Sequence, residues 1–293
     1  MKTLTVKSPA KINLSLRVIR RRRDGYHELV TVFHRLSLAD KISFIKDNRN
    51  CGIRILSSDK NLPCGPDNLI AKAYGMLRNK VPSLGGVRVQ IQTTIPIAAG
   101  LGGGASNAAA TLVALNRLFR LGISKCILSQ LGAKLGADVA FFVHEWNQAI
   151  GSGVGEKLLC CPARKKLWFL LVVTRKGLMT KKVYEALRPA ERTASLTKEM
   201  ATAKILCNLL DRKDFAKASQ LLRNDLEPAA FRLRASIKKM LDQLLSLGAG
   251  MARMSGSGPT VFAVFTSKKK AEDSARRLKL ESPYDRVILC CSA

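Results

Sequence analysis

Val87-Arg88-Val89-Gln90-Ile91 alternates apolar and polar residues, and five residues later the chain reads Pro96-Ile97-Ala98-Ala99-Gly100-Leu101-Gly102-Gly103-Gly104-Ala105-Ser106-Asn107 before a helical run from Ala108 to Phe119. A strand, a glycine-rich loop and a helix in that order specify a domain that mixes α and β structure. Clustered glycines let backbone N–H groups approach a ligand without a Cβ in the way. The unpaired donors and positive end of the following helix favour an anion there. No Gly-Lys-Ser/Thr ends the loop, so it is not a Walker loop. Because Gly102, Gly103 and Gly104 are contiguous, the Gly-x-Gly-x-x-Gly dinucleotide pattern does not fit either.

Outward from this stretch the pattern stays mixed. Ile12, Leu14, Leu16 and Val18 alternate as a half-buried strand from Lys11 to Val18, and Ile42, Phe44 and Ile53-Arg54-Ile55 repeat the signal. Apolar residues at spacings of three and four predict a helix over 67–78, with Asp67 or Asn68 as its cap, and another over 124–135. Further on, strands are expected at 167–173, 260–265 and 286–290. Helices are expected near 183–187, 198–210, 215–222, 231–247 and 269–278. Gly, Pro and charge concentrate between Gly155 and Lys166, which places a boundary between a domain of residues 1–158 and one of 159–293.

Composition narrows the functional classes. The chain has 293 residues, 47% of them hydrophobic, but no apolar run reaches the roughly 18 to 20 residues that span a bilayer. Met1 to Ala10 carries no secretory or transit pattern, so a cytoplasmic protein without a membrane partner is expected. The eight cysteines lack Cys-x-x-Cys spacing and the three histidines lack ligand spacing, which argues against a disulfide framework or a zinc site. Fifty Lys plus Arg against twenty-one Asp plus Glu gives a net charge of +29, enough to attract polyanions at low salt. The basic residues are spread along the chain with few aromatics among them. A solvated basic face or a funnel for phosphorylated substrates is expected, with no specific nucleic-acid partner.

The loop, read as Pro-x-x-x-Gly-Leu-Gly-Gly-Gly-x-Ser-Asn-Ala-Ala, resembles the phosphate loop of the GHMP kinases. Pro9-Ala10-Lys11-Ile12-Asn13-Leu14 and Asp24-Gly25-Tyr26-His27 resemble the first signature of the branch whose acceptor is a methylerythritol bearing cytidine diphosphate. Met254-Ser255-Gly256-Ser257-Gly258-Pro259 resembles the third GHMP motif. Gly136-Ala137-Asp138-Val139-Ala140, Gly151-Ser152-Gly153-Val154-Gly155-Glu156 and Asn224-Asp225-Leu226-Glu227-Pro228 match in family order, so the resemblance spans nearly the whole chain.

The resemblance implies an α+β fold, a ribosomal-protein-like N-terminal domain packed on a ferredoxin-like C-terminal domain, with catalysis in the cleft between them and the three motifs meeting there. It implies an ATP-dependent small-molecule kinase, with ATP as co-substrate and Mg²⁺ arriving with it, acting on a hydroxyl of the cytidine-bearing alcohol. Asp138 is the expected acceptor or orienter of the hydroxyl proton, and Lys11 the expected stabiliser of developing charge. ATP binding is expected at Asn68, Pro96, Ile97, Ala98, Ala99, Gly100, Leu101, Gly102, Gly103, Gly104, Ala105 and Ser106. The acceptor is expected at Asn13, Tyr26, His27 and Tyr184. Asn68 reads equally as a helix cap, and Tyr184, at helical spacing, equally as core. Where many relatives have serine this chain has Ala105, leaving Ser106 as the loop's hydroxyl, and Thr93 stands where some carry lysine. The rival readings are a kinase of homoserine, mevalonate or a sugar, against which Asp24-Gly25-Tyr26-His27 speaks, and a basic nucleic-acid module, which leaves Asp138 and both glycine motifs without a role.

Overall fold

The structure, a computed structural model, describes residues 2–47, 51–161, 163–174, 177–188, 195–281 and 286–293; Pro162, inside the expected domain boundary, lies outside them. They group into two compact units. One comprises Met1–Ala10, Leu38–Ile97 and Gly102–Trp146; the other comprises Lys11–Ser37, Ala98–Leu101 and Asn147–Ala293. Two long strands, β1 (Thr3–Arg21) and β2 (His27–Asp47), contribute residues to each unit.

In the first unit, β3 (Ile53–Ser57) runs parallel to β4 (Gly86–Gln92), with Ile53 opposite Val87. A parallel pair needs a crossover, and α1 (Leu69–Lys80) lies on it. β4 also pairs antiparallel with the end of β2, Phe44 opposite Val89, and both side chains are buried. Three helices follow: α2 (Gly103–Leu118), α3 (Lys125–Leu135) and α4 (Ala137–His144). α3 packs closely on α4 at Gly132, where a Cβ would come within 2.8 Å of Val139 Cγ1. The expected helix at 108–119 begins five residues early, taking Gly103 and Gly104 into its first turn.

In the second unit, β5 (Gln148–Gly153) pairs antiparallel with residues 29–34 of β2, and β6 (Lys157–Cys160) pairs with β5. A separate antiparallel sheet has the order β10-β7-β9-β8, formed by β7 (Trp168–Val173), β8 (Met251–Met254), β9 (Val261–Phe265) and β10 (Arg286–Cys291). The helices are α5 (Thr180–Glu185), α6 (Leu196–Asp211), α7 (Phe215–Leu221), α8 (Glu227–Leu233), α9 (Ala235–Ser246) and α10 (Lys268–Glu281). Ile237, Met240 and Leu244 recur along one face of α9 and pack with Leu170, Val172, Ala263 and Phe265 of the sheet in one core. Truncating a fully buried side chain such as Phe262 would cost about 3–5 kcal/mol.

The single helical pattern expected at 231–247 is corrected to two helices. Arg234 is extended between them, at φ −154° and ψ 94°, and Pro228 opens the first. All eight cysteines are free thiols. Among the described residues no helix is long and apolar enough to cross a membrane.

Candidate active site

Residues i and i+2 of a strand share a face, so Ile12, Leu14 and Leu16 enter the core while Lys11, Asn13 and Ser15 line the other side of β1. That side is also covered. Lys11 is only 5% exposed, and a buried ammonium requires partners. Its Nζ donates to Asn13 Oδ1 at 2.7 Å and lies 5.5 Å from the centre of the Phe33 ring. Asn13 Nδ2 donates to Thr31 Oγ1 at 2.8 Å, and that hydroxyl donates to Ser15 O at 2.8 Å. The amide of Asn13 therefore has a fixed orientation, with its oxygen held toward the lysine.

The loop after β8 packs on the same pair. Gly256, with φ +57°, sits tightly on the pair: a Cβ would lie 3.0 Å from Asn13 Oδ1 and 3.9 Å from Lys11 Nζ. Ser255 Oγ accepts from Asn13 N at 3.3 Å and donates to Gly100 O at 3.4 Å, and Thr260 Oγ1 donates to Ala99 O at 2.6 Å. Lys11 N donates to Leu101 O at 2.9 Å. At Gly100, φ +76°, a Cβ would lie 2.6 Å from Gly258 O. Two of the expected motifs, with residues 99–101 of the glycine loop, are thus stitched together by one backbone–backbone bond and by the Ser255 and Thr260 hydroxyls.

Along the loop, Ala98, Gly100 and Gly102 adopt left-handed conformations at every second position. Such alternation turns N–H groups into a concavity suited to an anion. Gly102 is the N-cap of α2 and offers no side-chain cap, and the first helical bond recorded there is Ser106 N to Gly102 O, at 2.9 Å. The N–H groups of Gly103, Gly104 and Ala105 belong to the turn that has no helical acceptor, and Gly104 is exposed. Pro96 is half-buried, Ile97 is exposed, and Ala105 is half-buried. Ser106 is buried, at 1% exposure, and receives a hydrogen bond from Ser8 Oγ at 2.8 Å. The loop's hydroxyl thus has a partner in β1.

Asp138 stands in the first turn of α4, half-buried, where a carboxylate is favoured by the helix dipole. It does not cap the preceding helix: α3 ends at Leu135 with Gly136 as its C-cap, and α4 starts afresh. Asn68 is the N-cap of α1: its Oδ1 accepts from Ile70 N at 2.8 Å and its Nδ2 donates to Pro63 O. His27 and Tyr184 come together, their rings stacked with centroids 5.0 Å apart and planes at 28°. Tyr184 also packs against the sheet core, as its helical spacing allows. Tyr26 is 67% exposed in the turn between β1 and β2, its N–H donating to Asp24 Oδ1 at 3.1 Å.

Three residues had no place in the sequence reading of the site. Asp40 is buried and its Oδ1 accepts from Thr94 N at 2.7 Å and Ile95 N at 2.9 Å, while Oδ2 accepts from Asn107 Nδ2 at 3.1 Å. It braces the chain on both sides of the glycine loop. Ser8 and Thr31 complete the networks above. None of these carries a local signal, since an Asp, Ser or Thr inside a strand reads as solvent-facing; only Asn107, next to the loop serine, hints at a partner.

The chain matches the GHMP kinases N terminal domain over residues 68–145 and the GHMP kinases C terminal domain over 206–282. It is 40% identical over 287 residues to the 4-diphosphocytidyl-2-C-methyl-D-erythritol kinase of Syntrophus aciditrophicus (strain SB), covering 98% of both chains. To the protein of that name from Geobacter metallireducens it is 37% identical, with 97% of both covered. Among solved structures, a 4-(cytidine 5'-diphospho)-2C-methyl-D-erythritol kinase superposes with a TM-score of 0.83 at 32% identity, covering 99% of this chain and 100% of that one. A homoserine kinase from Cytophaga hutchinsonii superposes with a TM-score of 0.76 at 19% identity, over 100% of this chain and 95% of that one, a likeness of fold alone. The chain belongs to the GHMP kinases, in the family of the 4-diphosphocytidyl-2-C-methyl-D-erythritol kinases.

Proposed function

We propose that this enzyme transfers the γ-phosphoryl group of ATP to a hydroxyl of 4-diphosphocytidyl-2-C-methyl-D-erythritol, a step of non-mevalonate isoprenoid precursor biosynthesis in the cytoplasm. The observation that carries the reading beyond family membership is the buried Lys11–Asn13 pair, held against the 254–259 loop and residues 99–101. A buried ammonium oriented by an amide is suited to charge that develops during transfer and is poorly explained as a surface lysine. The His27–Tyr184 stack supports recognition of a flat heteroaromatic group such as cytosine. The two family matches fall on either side of residue 158, in keeping with an N-terminal domain of 1–158 and a C-terminal one of 159–293, whereas the compact units interleave, Lys11–Ser37 and Ala98–Leu101 grouping with Asn147–Ala293.

In this reading the acceptor oxygen attacks the γ-phosphorus, the bond from phosphorus to the β-bridging oxygen breaks, and ADP leaves. Asp138 takes the hydroxyl proton, and Lys11 offsets charge on the transferring group. The N–H groups of the loop and of the first turn of α2 hold phosphate oxygens. No group of three His, Cys, Asp or Glu that could hold a metal occurs among the described residues. Mg²⁺, which in kinases is usually held largely through substrate phosphates, would arrive with ATP and would neutralise phosphate charge there.

Turnover of Asp138→Asn tests this assignment. The variant should keep its fold and ATP binding and lose about two to four orders of magnitude in kcat. Near-normal turnover would remove Asp138 from the mechanism. Lys11→Ala should be comparably slow, and the double variant should lose less than the product of the two losses, because both groups serve one step.

A further inference from the structure

The Asn224-Asp225-Leu226-Glu227-Pro228 motif has no part in the chemistry above, yet Asn224 is only 5% exposed and every polar atom of its amide is engaged. Its Nδ2 donates to Met254 O at 2.7 Å and to Gly256 O at 2.8 Å, and its Oδ1 accepts from Leu226 N at 2.9 Å. Glu227 takes the remaining side of the same loop, its Oε1 accepting from Met254 N at 2.8 Å. The segment that carries Asn224 is itself fastened to β1. Leu16 N donates to Arg223 O at 2.8 Å, Asp225 N donates to Leu16 O at 2.9 Å, and Val18 N donates to Asp225 Oδ2 at 2.8 Å.

One short segment therefore grips the strand that bears Lys11 and Asn13, and also the loop whose Gly256 rests on that pair. We propose that Asn224 is a positioning residue for phosphoryl transfer: by pinning the carbonyls of Met254 and Gly256 to the frame of β1, it sets the spacing between the 254–259 loop and Lys11–Asn13. This rests on the reading of Lys11 as the group that stabilises developing charge. Asparagine is required because two carbonyls converge on one side chain and only an amide offers them two donors while accepting from Leu226 N. Aspartate, of the same shape, would set an anion against both carbonyls and push the loop off the pair. Displacements of about 1 Å at a transfer site cost up to about a hundredfold in rate without abolishing binding.

The test is a kinetic cycle on the full chain, with ATP and the cytidine-bearing acceptor, for Asn224→Asp, Lys11→Ala and the double variant. Asn224→Asp should lower kcat by about ten- to a hundredfold while KM for each substrate moves less than about threefold. Placed on Lys11→Ala it should cost less than about threefold more, since the residue through which it acts is gone. A full multiplicative loss on a severely impaired Lys11→Ala, or an unchanged kcat in Asn224→Asp, overturns the proposal. A near-normal Lys11→Ala instead overturns the role of Lys11 beneath it. Should Asn224→Asp fail to fold, Gly256→Ala decides, because its Cβ would press on Asn13 Oδ1 from the loop side. It should show the same fall in kcat at nearly constant KM and the same silence on Lys11→Ala, and multiplicative behaviour there would refute the proposal equally.

Discussion

Gly104→Ala separates what the glycine loop does for the ligand from what it does for the fold. Gly104 is the second residue of α2 and is exposed, and a Cβ there would meet only Leu69 Cδ1, at 3.4 Å, an ordinary contact. Alanine is the better helix former by about 0.5–1 kcal/mol in a helix interior, less in a first turn. The variant should therefore melt at or slightly above the parent temperature, by at most about 2–4 °C for a chain of this size. If phosphate approaches the N–H groups of this turn, the same methyl intrudes on it. Weakening one hydrogen bond to a charged group costs about 1.5–3 kcal/mol, which is a loss of about ten- to a hundredfold in ATP affinity. Thermal melts without nucleotide, beside calorimetric titration with ATP and a KM measurement for each substrate, read both quantities on one sample. Undiminished ATP affinity in a variant of equal or greater stability would refute the placement of phosphate at the start of α2.

Other predictions concern pH and specificity. Burial lowers the pKa of His34 from 6.5 to about 4, against the opposing hydrogen bond to Gln148. The unfolded chain takes up a proton below about pH 6.5 while the native ring resists until about pH 4. The contribution is full above pH 6.5 and about 3 kcal/mol is lost as pH falls through that window. A wild-type melting profile flat between pH 6.5 and 4 would contradict it. Tyr184→Ala and His27→Ala should each erode the preference for the cytidine-bearing acceptor over alcohols without a base, leaving ATP affinity within about threefold; the ratios of kcat/KM are the measurement. A preference unchanged in both variants would remove the stacked pair from acceptor recognition.

Strands and helices with a clear period were legible. β1, β4, α1 and α3 follow from alternation or from apolar residues three and four apart, and Asn68 and Ser124 cap the two helices as their side chains allow. α4 was hidden because residues 139–143 are all buried, which erases the helical period, and because Gly136 gives no side-chain cap. β5 was hidden in the same way, being buried almost throughout and rich in glycine. The break at Arg234 has neither proline nor glycine to announce it, and it separates two helices that both pack into the core. At the site, the glycines and Lys11 could be singled out by chemistry and resemblance. What lay beyond local reading was tertiary: Asp40 reaches Asn107 across 67 positions and Asn224 reaches the loop 30 positions on, and only the folded chain shows that these ordinary polar residues are buried and hydrogen-bonded to one another or to the loop.

In the function proposed above, this kinase acts on an alcohol carrying cytidine diphosphate. Consumption of ATP by the purified protein, measured with 4-diphosphocytidyl-2-C-methyl-D-erythritol, homoserine, mevalonate and galactose in parallel, tests it most directly. A site whose buried polar and aromatic groups are matched to a base leaves them unsatisfied by acceptors that lack one. The kcat/KM for the cytidine-bearing alcohol should lie at least about a hundredfold above each of the others, a difference of about 2.7 kcal/mol in transition-state binding. A higher kcat/KM with any of the three would contradict it.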